Sequence, residues 1–183
     1  MVLLKTMNLF DLNTDKKILN ISGKDIEMQP PMCYGKEYDK WLVSKCGKVW
    51  SIKKNKLIYG HIDHAYNKDS KTIRSVSYTL VTDEYDWWGD GSGIKHHKGN
   101  QWGRSITAHK MIMDTWKPLY DNPPQGIVWE EWEKVRDFPT VYNHISKTLV
   151  IDHIDDDPTN NHYDNLKRTT QWENNPTRKA QGI

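Results

Sequence analysis

Short runs of apolar and β-branched residues predict strands in the first half of the chain. Residues 41–44 and 48–52 flank a turn that contains Gly47, a pattern typical of a β-hairpin, and lysines alternate along it. Residues 57–59 and 75–81 have the same apolar, β-branched character. These segments together predict a small antiparallel sheet.

The apolar positions change to helical spacing further along the chain. Between Thr107, which can cap a helix, and Pro118, which stops one, apolar residues recur every three or four positions. Residues 129–136 repeat this pattern, and the helix that they predict is expected to end at Pro139. The glycine-rich segment 86–102, which precedes both helices, is expected to form a long hairpin tip.

The last part of the chain combines an apolar strand with a polar loop. Residues 148–153 predict a strand that ends in an Asp-His pair, a loop rich in Asp and Asn follows, and a second strand is predicted from Asn165. Thr170 and Glu173 have the spacing of a capping box. A helix is therefore expected to begin near Thr170, with Asn174 on its first turn.

The composition is that of a folded protein. Nine of the 183 residues are Trp and nine are Tyr, and the formal net charge is only +2, which excludes a disordered polar chain. Two cysteines, Cys33 and Cys46, are too few for a four-thiolate zinc site or a disulfide framework, and free thiols are expected. There is neither a run of about eighteen apolar residues nor a secretory h-region, which predicts a cytoplasmic protein without a membrane span.

The charge is unevenly distributed along the chain. The net charge is +5 over residues 1–60, −2 over residues 61–139 and −1 over residues 140–183. Seven lysines lie within residues 36–56, where they could neutralise the phosphates of double-stranded DNA, and a two-stranded ribbon fits the major groove. A solvated surface is the alternative. The candidate DNA-binding residues are Lys45, Lys48, Lys53, Lys54, Lys56, Lys167 and Arg168.

The strand end and the helix start carry the side chains of a candidate catalytic site. Asp152 and Asn174 offer a carboxylate and an amide oxygen, hard ligands of the kind that bind Mg²⁺ together with several waters. His153 is a candidate general base for water because an imidazole titrates near neutrality. It can share a site with Asp152 only where the strand bends into its loop. The side-chain oxygen of Asn165 is the candidate acceptor that orients His153.

Three neighbouring features admit other interpretations. The acidic run 155–157 lacks the glycine and the distal glutamate of a calcium loop and is expected to form a solvated turn. His162 is a candidate third metal ligand, or a zinc ligand together with His153, although their separation is uncommon for zinc. The role of His109 is left open.

The C-terminal run resembles the HNH motif, and more narrowly that of the HNH homing-type endonucleases of phages and group I introns. The separations of twelve residues from His153 to Asn165 and nine from Asn165 to Asn174 are similar to those of the family. Residues 108–112 and 43–51 resemble its helix before the motif and its amino-terminal hairpin. The matching residues are Asp152-His153-Ile154-Asp155, Asn160-Asn161, Asn165-Leu166 and Glu173-Asn174.

The resemblance implies an α+β fold with two parts. Residues 1–104 are expected to form a basic DNA-contacting module with a small antiparallel sheet. Residues 105–183 are expected to form a helical connection and a ββα-metal nuclease module, with the motif at 148–175. Relative to the family, segments 82–103 and 126–147 are insertions.

The resemblance also implies a role for each candidate residue. Asp152 and Asn174 would bind one Mg²⁺ or Mn²⁺ ion, His153 would activate water, and Asn165 would orient His153. The expected activity is hydrolysis of double-stranded DNA to a 5′-phosphate and a 3′-hydroxyl, by a monomer that nicks or by two copies that cut both strands. The alternatives are a non-catalytic DNA-binding protein on a decayed HNH fold and a nuclease selective for branched DNA or directed at RNA.

Overall fold

A computed structural model of the chain describes residues 16–67, 70–82, 94–97 and 101–175. Within these residues the fold is mixed, with antiparallel strands and three α-helices. The helices are α1 Ala108–Trp116, α2 Trp129–Arg136 and α3 Pro139–Thr148. The strands are β1 Lys17–Ile21, β2 Lys24–Gln29, β3 Met32–Cys33, β4 Lys36–Glu37, β5 Trp41–Ser44, β6 Val49–Ser51, β7 Lys56–Ile58, β8 His61–Asn67, β9 Ser70–Thr82, β10 Ile94–His97, β11 Gln101–Thr107, β12 Leu149–His153 and β13 Leu166–Thr170.

The strands of the described residues form two larger sheets and two isolated hairpins. One sheet has the order β1-β2-β5-β6-β7 and the other the order β10-β11-β9-β8, and the hairpins are β3–β4 and β12–β13. Every pair is antiparallel within these residues. The predicted α+β class with antiparallel sheet is confirmed.

Helix α1 packs at the centre of the main hydrophobic core. Its buried Ile112 belongs to one cluster with Val43 of β5, Leu80 of β9, Ile106 of β11 and Leu166 of β13. Burying a side chain of this size contributes about 1.5–3 kcal/mol relative to leaving it in water. One short helix therefore holds both sheets and the β12–β13 hairpin together.

The five-stranded sheet is buried on both faces around β5. Val43 points into the main cluster, whereas the adjacent Leu42 packs with Leu19 and Met28 in a second cluster. This is the alternation expected of a strand, in which successive side chains point to opposite faces. It explains why all four residues of β5 are buried.

Two predicted helices are confirmed and a third was missed. Helices α1 and α2 occupy the predicted segments, but Pro139, expected to end α2, is the first residue of α3. Proline is favoured at the first helical position, where its missing N–H would have no intrahelical partner. Segment 126–147 is consequently a pair of helices.

Some predicted elements reach beyond the described residues. The expected C-terminal helix is described only as a single turn at 171–174, and residues 176–183 lie outside the description. The expected hairpin tip falls largely on residues 83–93 and 98–100, which lie outside it as well.

Three further expectations concern the chain as a whole. No helix in the described ranges has the length and apolar character needed to cross a membrane. Both cysteines are free, as predicted, with Cys33 buried and Cys46 exposed. The main core cluster includes residues from both sides of position 104, and the division into two domains stays a prediction.

Candidate active site

The β12–β13 hairpin frames the predicted site. Asp152 pairs with Lys167 and His153 pairs with Leu166. Leu166 is only 2% exposed, and its place in the core fixes the hairpin against α1. Strand β12 ends at His153, so Asp152 and His153 stand where the strand enters the motif loop, residues 154–165.

His153 is buried, and an asparagine of the motif loop holds its imidazole. His153 Nε2 lies 3.1 Å from Asn161 Oδ1. Asn161 Nδ2 donates to Pro158 O at 3.3 Å and to Thr159 O at 3.1 Å, which turns the amide oxygen toward the ring. Because that oxygen can only accept, neutral His153 carries its proton on Nε2 and Nδ1 is the basic nitrogen. No role for Asn161 follows from the sequence, where its only signal is its place in the Asn-Asn pair of the motif.

Asn165 does not orient His153, which corrects the prediction. Asn165 Nδ2 donates to Asp155 Oδ1 and to Asn160 O, both at 2.8 Å, and Asn165 Oδ1 accepts from Asp155 N at 3.2 Å. Its backbone oxygen accepts from Ile154 N at 2.9 Å. Its side chain shapes the motif loop instead.

Asp152 is buried beside a lysine. Its side chain is 8% exposed, and Oδ2 lies 3.6 Å from the Nζ atom of Lys167, its cross-strand neighbour. A buried carboxylate requires positive charge nearby. The carboxylate oxygens of Asp152 and the amide oxygen of Asn174 are hard donors of the kind that divalent ions bind.

The predicted capping box is present at the end of β13. Glu173 N donates to Thr170 Oγ1 at 3.2 Å, and Thr170 N donates to Glu173 Oε2 at 3.0 Å. Hydrogen bonds from Thr169 and Thr170 lower the pKa of Glu173. Asn174 N donates to Thr170 O at 3.1 Å and closes one helical turn. Asn174 is thereby placed on this turn, as the sequence predicted.

The acids of the motif loop build its turns. Hydrogen bonds from Asn165, Asn160 and the Asp157 N–H lower the pKa of Asp155 to about 2. Asp157 accepts from the hydroxyl and the N–H of Thr159, which lowers its pKa as well. Both carboxylates are exposed, and the prediction of a solvated turn is confirmed.

His162 also forms a hydrogen bond with the backbone of the motif loop. Its Nδ1 accepts from Asp164 N at 3.3 Å, and its ring centroid lies 5.3 Å from that of Tyr163. Over the described ranges of the chain, no three His, Cys, Asp or Glu side chains cluster as metal ligands. A metal-ligand role for His162 stays a prediction.

The predicted DNA-binding lysines differ in their surroundings. Lys45 Nζ lies 3.2 Å from Glu27 Oε2 and over the rings of Trp116 and Tyr163, at 5.1 and 5.4 Å from their centroids. Four others are exposed on or beside the β5–β6 and β6–β7 turns, namely Lys48, Lys53, Lys54 and Lys56.

Arg168, predicted to contact DNA, is buried at the C-terminal end of α1. It is 7% exposed, and its guanidinium donates to the backbone oxygens of Lys117 and Met113 and to Asp114 Oδ1. Burial lowers its pKa. The last carbonyls of a helix lack intrahelical partners and favour a nearby cation. The prediction for Arg168 is wrong because the residue ties β13 to α1.

The turn between β5 and β6 touches the motif loop. Gly47 has a φ of +81°, and a Cβ atom there would lie 3.3 Å from Ile112 Cδ1 and 3.4 Å from Asn161 Cβ. Tyr163 N donates to Lys45 O at 2.8 Å. Both the positive φ and the close approach favour glycine. The basic hairpin is thus in direct contact with the loop that holds the candidate base.

Comparison with solved structures shows similarity to the one described as "DNA binding and cleavage by the HNH homing endonuclease I-HmuI". The TM-score is 0.40 and the sequence identity 21%, over 79% of this chain and 55% of that chain. The chain therefore spans about half the length of the structure it matches. No protein-family model and no curated protein matches the sequence.

The arrangement combines two chemical capabilities. Asn161 sets the tautomer of His153 and leaves Nδ1 as the nitrogen that can accept a proton. Asp152, one residue before it in β12, supplies a buried carboxylate. A base and a hard-ion ligand are the groups that hydrolysis assisted by a metal ion uses.

Proposed function

We propose that this protein is a divalent-metal-dependent HNH endonuclease that hydrolyses phosphodiester bonds of double-stranded DNA. The observation that carries the proposal is the buried His153, held at Nε2 by Asn161 and adjacent to buried Asp152 at the end of β12. The spacing of Asn165 and Asn174 after His153, with its resemblance to the HNH motif, supports the same assignment.

In this proposal His153 is the general base. Its Nδ1 takes a proton from a water molecule whose oxygen forms a bond to phosphorus, while the bond from phosphorus to the 3′ oxygen breaks. The 3′ oxygen then takes a proton from solvent, which leaves a 3′-hydroxyl and a 5′-phosphate. Asn161 keeps Nδ1 basic because it holds the Nε2 proton.

Asp152 and Asn174 are the residues proposed to hold Mg²⁺ or Mn²⁺. The bound ion would supply positive charge at the reacting phosphate and at the leaving oxygen. Lys167 lies beside the same carboxylate, and its side chain is 32% exposed. From there its ammonium group can contact a backbone phosphate while it remains near Asp152.

The exposed lysines of the β5–β7 turns are proposed to bind the DNA backbone. Lys48, Lys53, Lys54 and Lys56 form an exposed basic strip along these turns. Since the turn at Gly47 contacts Asn161, DNA bound along this strip would lie near the cleavage site. A chain with one such site cuts one strand at a time, so the proposed product of a monomer is nicked DNA.

Loss of the base tests the proposal. In His153→Ala, nicking of supercoiled plasmid in Mg²⁺ is expected to fall ~10²–10⁴-fold, the usual contribution of a general base, with DNA affinity unchanged. His144→Ala, at an exposed histidine of α3, is the control and should nick at nearly the wild-type rate. Chelation of the metal should stop nicking by the wild-type protein.

Two outcomes contradict the proposal. Undiminished nicking by His153→Ala would show that another group activates water. DNA binding by the wild-type protein without metal-dependent nicking would favour the non-catalytic alternative. Faster cleavage of branched DNA, single-stranded DNA or RNA than of duplex would change the proposed substrate while retaining the site.

A further inference from the structure

His109 is a buried histidine that the proposed mechanism leaves unused, and it packs against His153. The two ring centroids are 5.5 Å apart and the ring planes meet at 88°, an edge-to-face contact. His109 lies in the first turn of α1, between the core residue Ala108 and the salt-bridged Lys110. The contact therefore joins a helix anchored in the core to the end of β12.

The two ring nitrogens of His109 differ in their surroundings. Nε2 lies 3.0 Å from Thr107 Oγ1, whereas Nδ1 is buried and has no hydrogen-bond partner within the described part of the chain. A buried polar atom without a partner costs about 1–3 kcal/mol. The contacts of the ring must offset this cost, and they include the edge-to-face contact with His153.

His109 is neutral at neutral pH. Burial, then the neighbouring His153 and Lys110, lower its pKa to about 4, while Asp114 acts in the opposite direction. A neutral ring does not repel the positive charge that His153 acquires when it takes a proton.

On another side, His109 borders a cleft of about 480 Å³ between α1 and the β8–β9 pair, whose lining residues are Asp63, His64, Arg74, Ser75, Thr107 and His109.

We propose that His109 is a positioning residue of the nuclease site, an inference that rests on the proposed function. The hydrogen bond that His153 Nε2 donates to Asn161 fixes one edge of the ring and still permits the side chain to rotate about that point. The edge-to-face contact with His109 is a second point of support. Together they hold His153 in one rotamer, with Nδ1 directed at the reacting water.

A pair of variants of similar size tests this role. His109→Leu and His109→Phe both lose the contact with Thr107, but only phenylalanine keeps an aromatic ring against His153. We expect His109→Leu to nick ~10–100-fold more slowly in single-turnover reactions, since small displacements of a catalytic group cost about this much. His109→Phe should retain most of the rate, and DNA affinity should be unchanged in both. His144→Leu, at an exposed histidine of α3, is the control.

The rotamer of His153 provides a readout that does not depend on activity. In protein free of DNA and metal, NMR couplings across the χ1 bond of His153 should indicate one rotamer in the wild type and in His109→Phe. They should be averaged in His109→Leu. Thermal unfolding followed by circular dichroism shows whether each variant is folded under the conditions of the measurement.

The outcomes separate this inference from the proposed function. If folded His109→Leu nicks at the wild-type rate and keeps one His153 rotamer, the inference is overturned and the proposed function stands. If His109→Phe is as slow as His109→Leu, a nitrogen is needed rather than the ring contact, and the inference is again overturned. If the wild type does not nick, the proposed function fails, and the rotamer measurement still decides whether His109 holds His153.

Discussion

Asn161 determines which nitrogen of His153 is basic. Two backbone oxygens of the motif loop accept from its amide, so an oxygen and not an NH₂ group faces His153 Nε2. The proton-accepting capacity of His153 therefore depends on a side chain that does not itself react. A change at Asn161 should affect the rate of cleavage more than the binding of DNA.

Substitution of Asn161 tests this dependence. Asn161→Leu removes the acceptor at similar size and is expected to slow nicking ~10–100-fold, because His153 loses its fixed orientation. Asn161→Asp keeps an acceptor oxygen for His153 but turns its second oxygen toward the carbonyls of Pro158 and Thr159, so it should be impaired less than Asn161→Leu without reaching the wild-type rate. Single-turnover nicking and DNA affinity measured side by side check the expectation, and equal rates in both variants would contradict it.

Asp155 makes the motif loop sensitive to acid. Its pKa in the folded protein is about 2, lowered from 3.8 chiefly by the hydrogen bonds from Asn165 and Asn160. A carboxyl with a depressed folded pKa stabilises the fold above its unfolded pKa, and this contribution is lost as the pH falls through the folded value. The free energy of unfolding should therefore decrease as the pH falls from about 4 to about 2.

The variant Asp155→Asn should show a weaker dependence on pH in that range. Urea denaturation at a series of pH values measures it, and Asp156→Asn in the same loop is the control for the loss of one charge. An unchanged slope in Asp155→Asn would mean that the loop hydrogen bonds do not stabilise the charged form.

At the scale of secondary-structure elements, the C-terminal end of α1 determines the roles of the basic residues on β13. The C-terminal carbonyls of α1 are satisfied by Arg168, which reaches them from β13. In the sequence, Arg168 and the neighbouring Lys167 look alike as basic residues on one strand. Only the packing of β13 against the end of α1 distinguishes Arg168, which is buried, from Lys167, which reaches solvent.

Arg168→Met should therefore change stability, whereas Lys167→Met should change the affinity for DNA. Loss of the buried hydrogen bonds in Arg168→Met is expected to lower the free energy of unfolding by about 1–3 kcal/mol, with unchanged affinity for DNA. Lys167→Met should lower DNA affinity with little loss of stability. Urea denaturation and a DNA-binding titration on both variants check this, and weaker DNA binding by folded Arg168→Met would contradict it.

Elements specified by local sequence were predictable, and elements specified by contacts were not. The capping box at Thr170 and the strand end at His153 follow from residues a few positions apart, and both were predicted. Helix α3 was missed because Pro139 suits both the end of one helix and the start of the next. Spacing alone predicts Asn165 as the partner of His153, because the fold of the motif loop, which selects Asn161, does not follow from spacing.

At the scale of the whole molecule, the basic hairpin, α1 and the motif loop meet at Gly47. A Cβ atom there would press on Ile112 and Asn161, whereas one at Gly23, with a similar φ of +79°, would meet nothing within 4 Å. The two glycines thus share the same backbone conformation and differ in their surroundings. They form a matched pair for testing whether the hairpin supports the site.

Alanine at either glycine should destabilise the protein by roughly 1–2 kcal/mol through the left-handed conformation. Only Gly47→Ala is expected to slow nicking as well, because its methyl group would press on Ile112 and contact Asn161, the residue that holds His153. Unfolding in urea and the nicking rate, measured for both variants, check this. Equal nicking by Gly47→Ala and Gly23→Ala would show that the contact does not influence the site.

The hydrogen bond from Tyr163 N to Lys45 O joins residues that are far apart in the sequence. Together with the contacts at Gly47 and His109, it means that the continuous motif at 148–175 contains the proposed reacting groups and Asn161 but not every residue that supports them. A graft of that segment alone onto another DNA-binding domain would leave Asn161 as the support of His153 and would lose the contacts from β5–β6 and α1. The smallest transplantable unit of the proposed nuclease site is therefore discontinuous and includes the β5–β6 hairpin and α1.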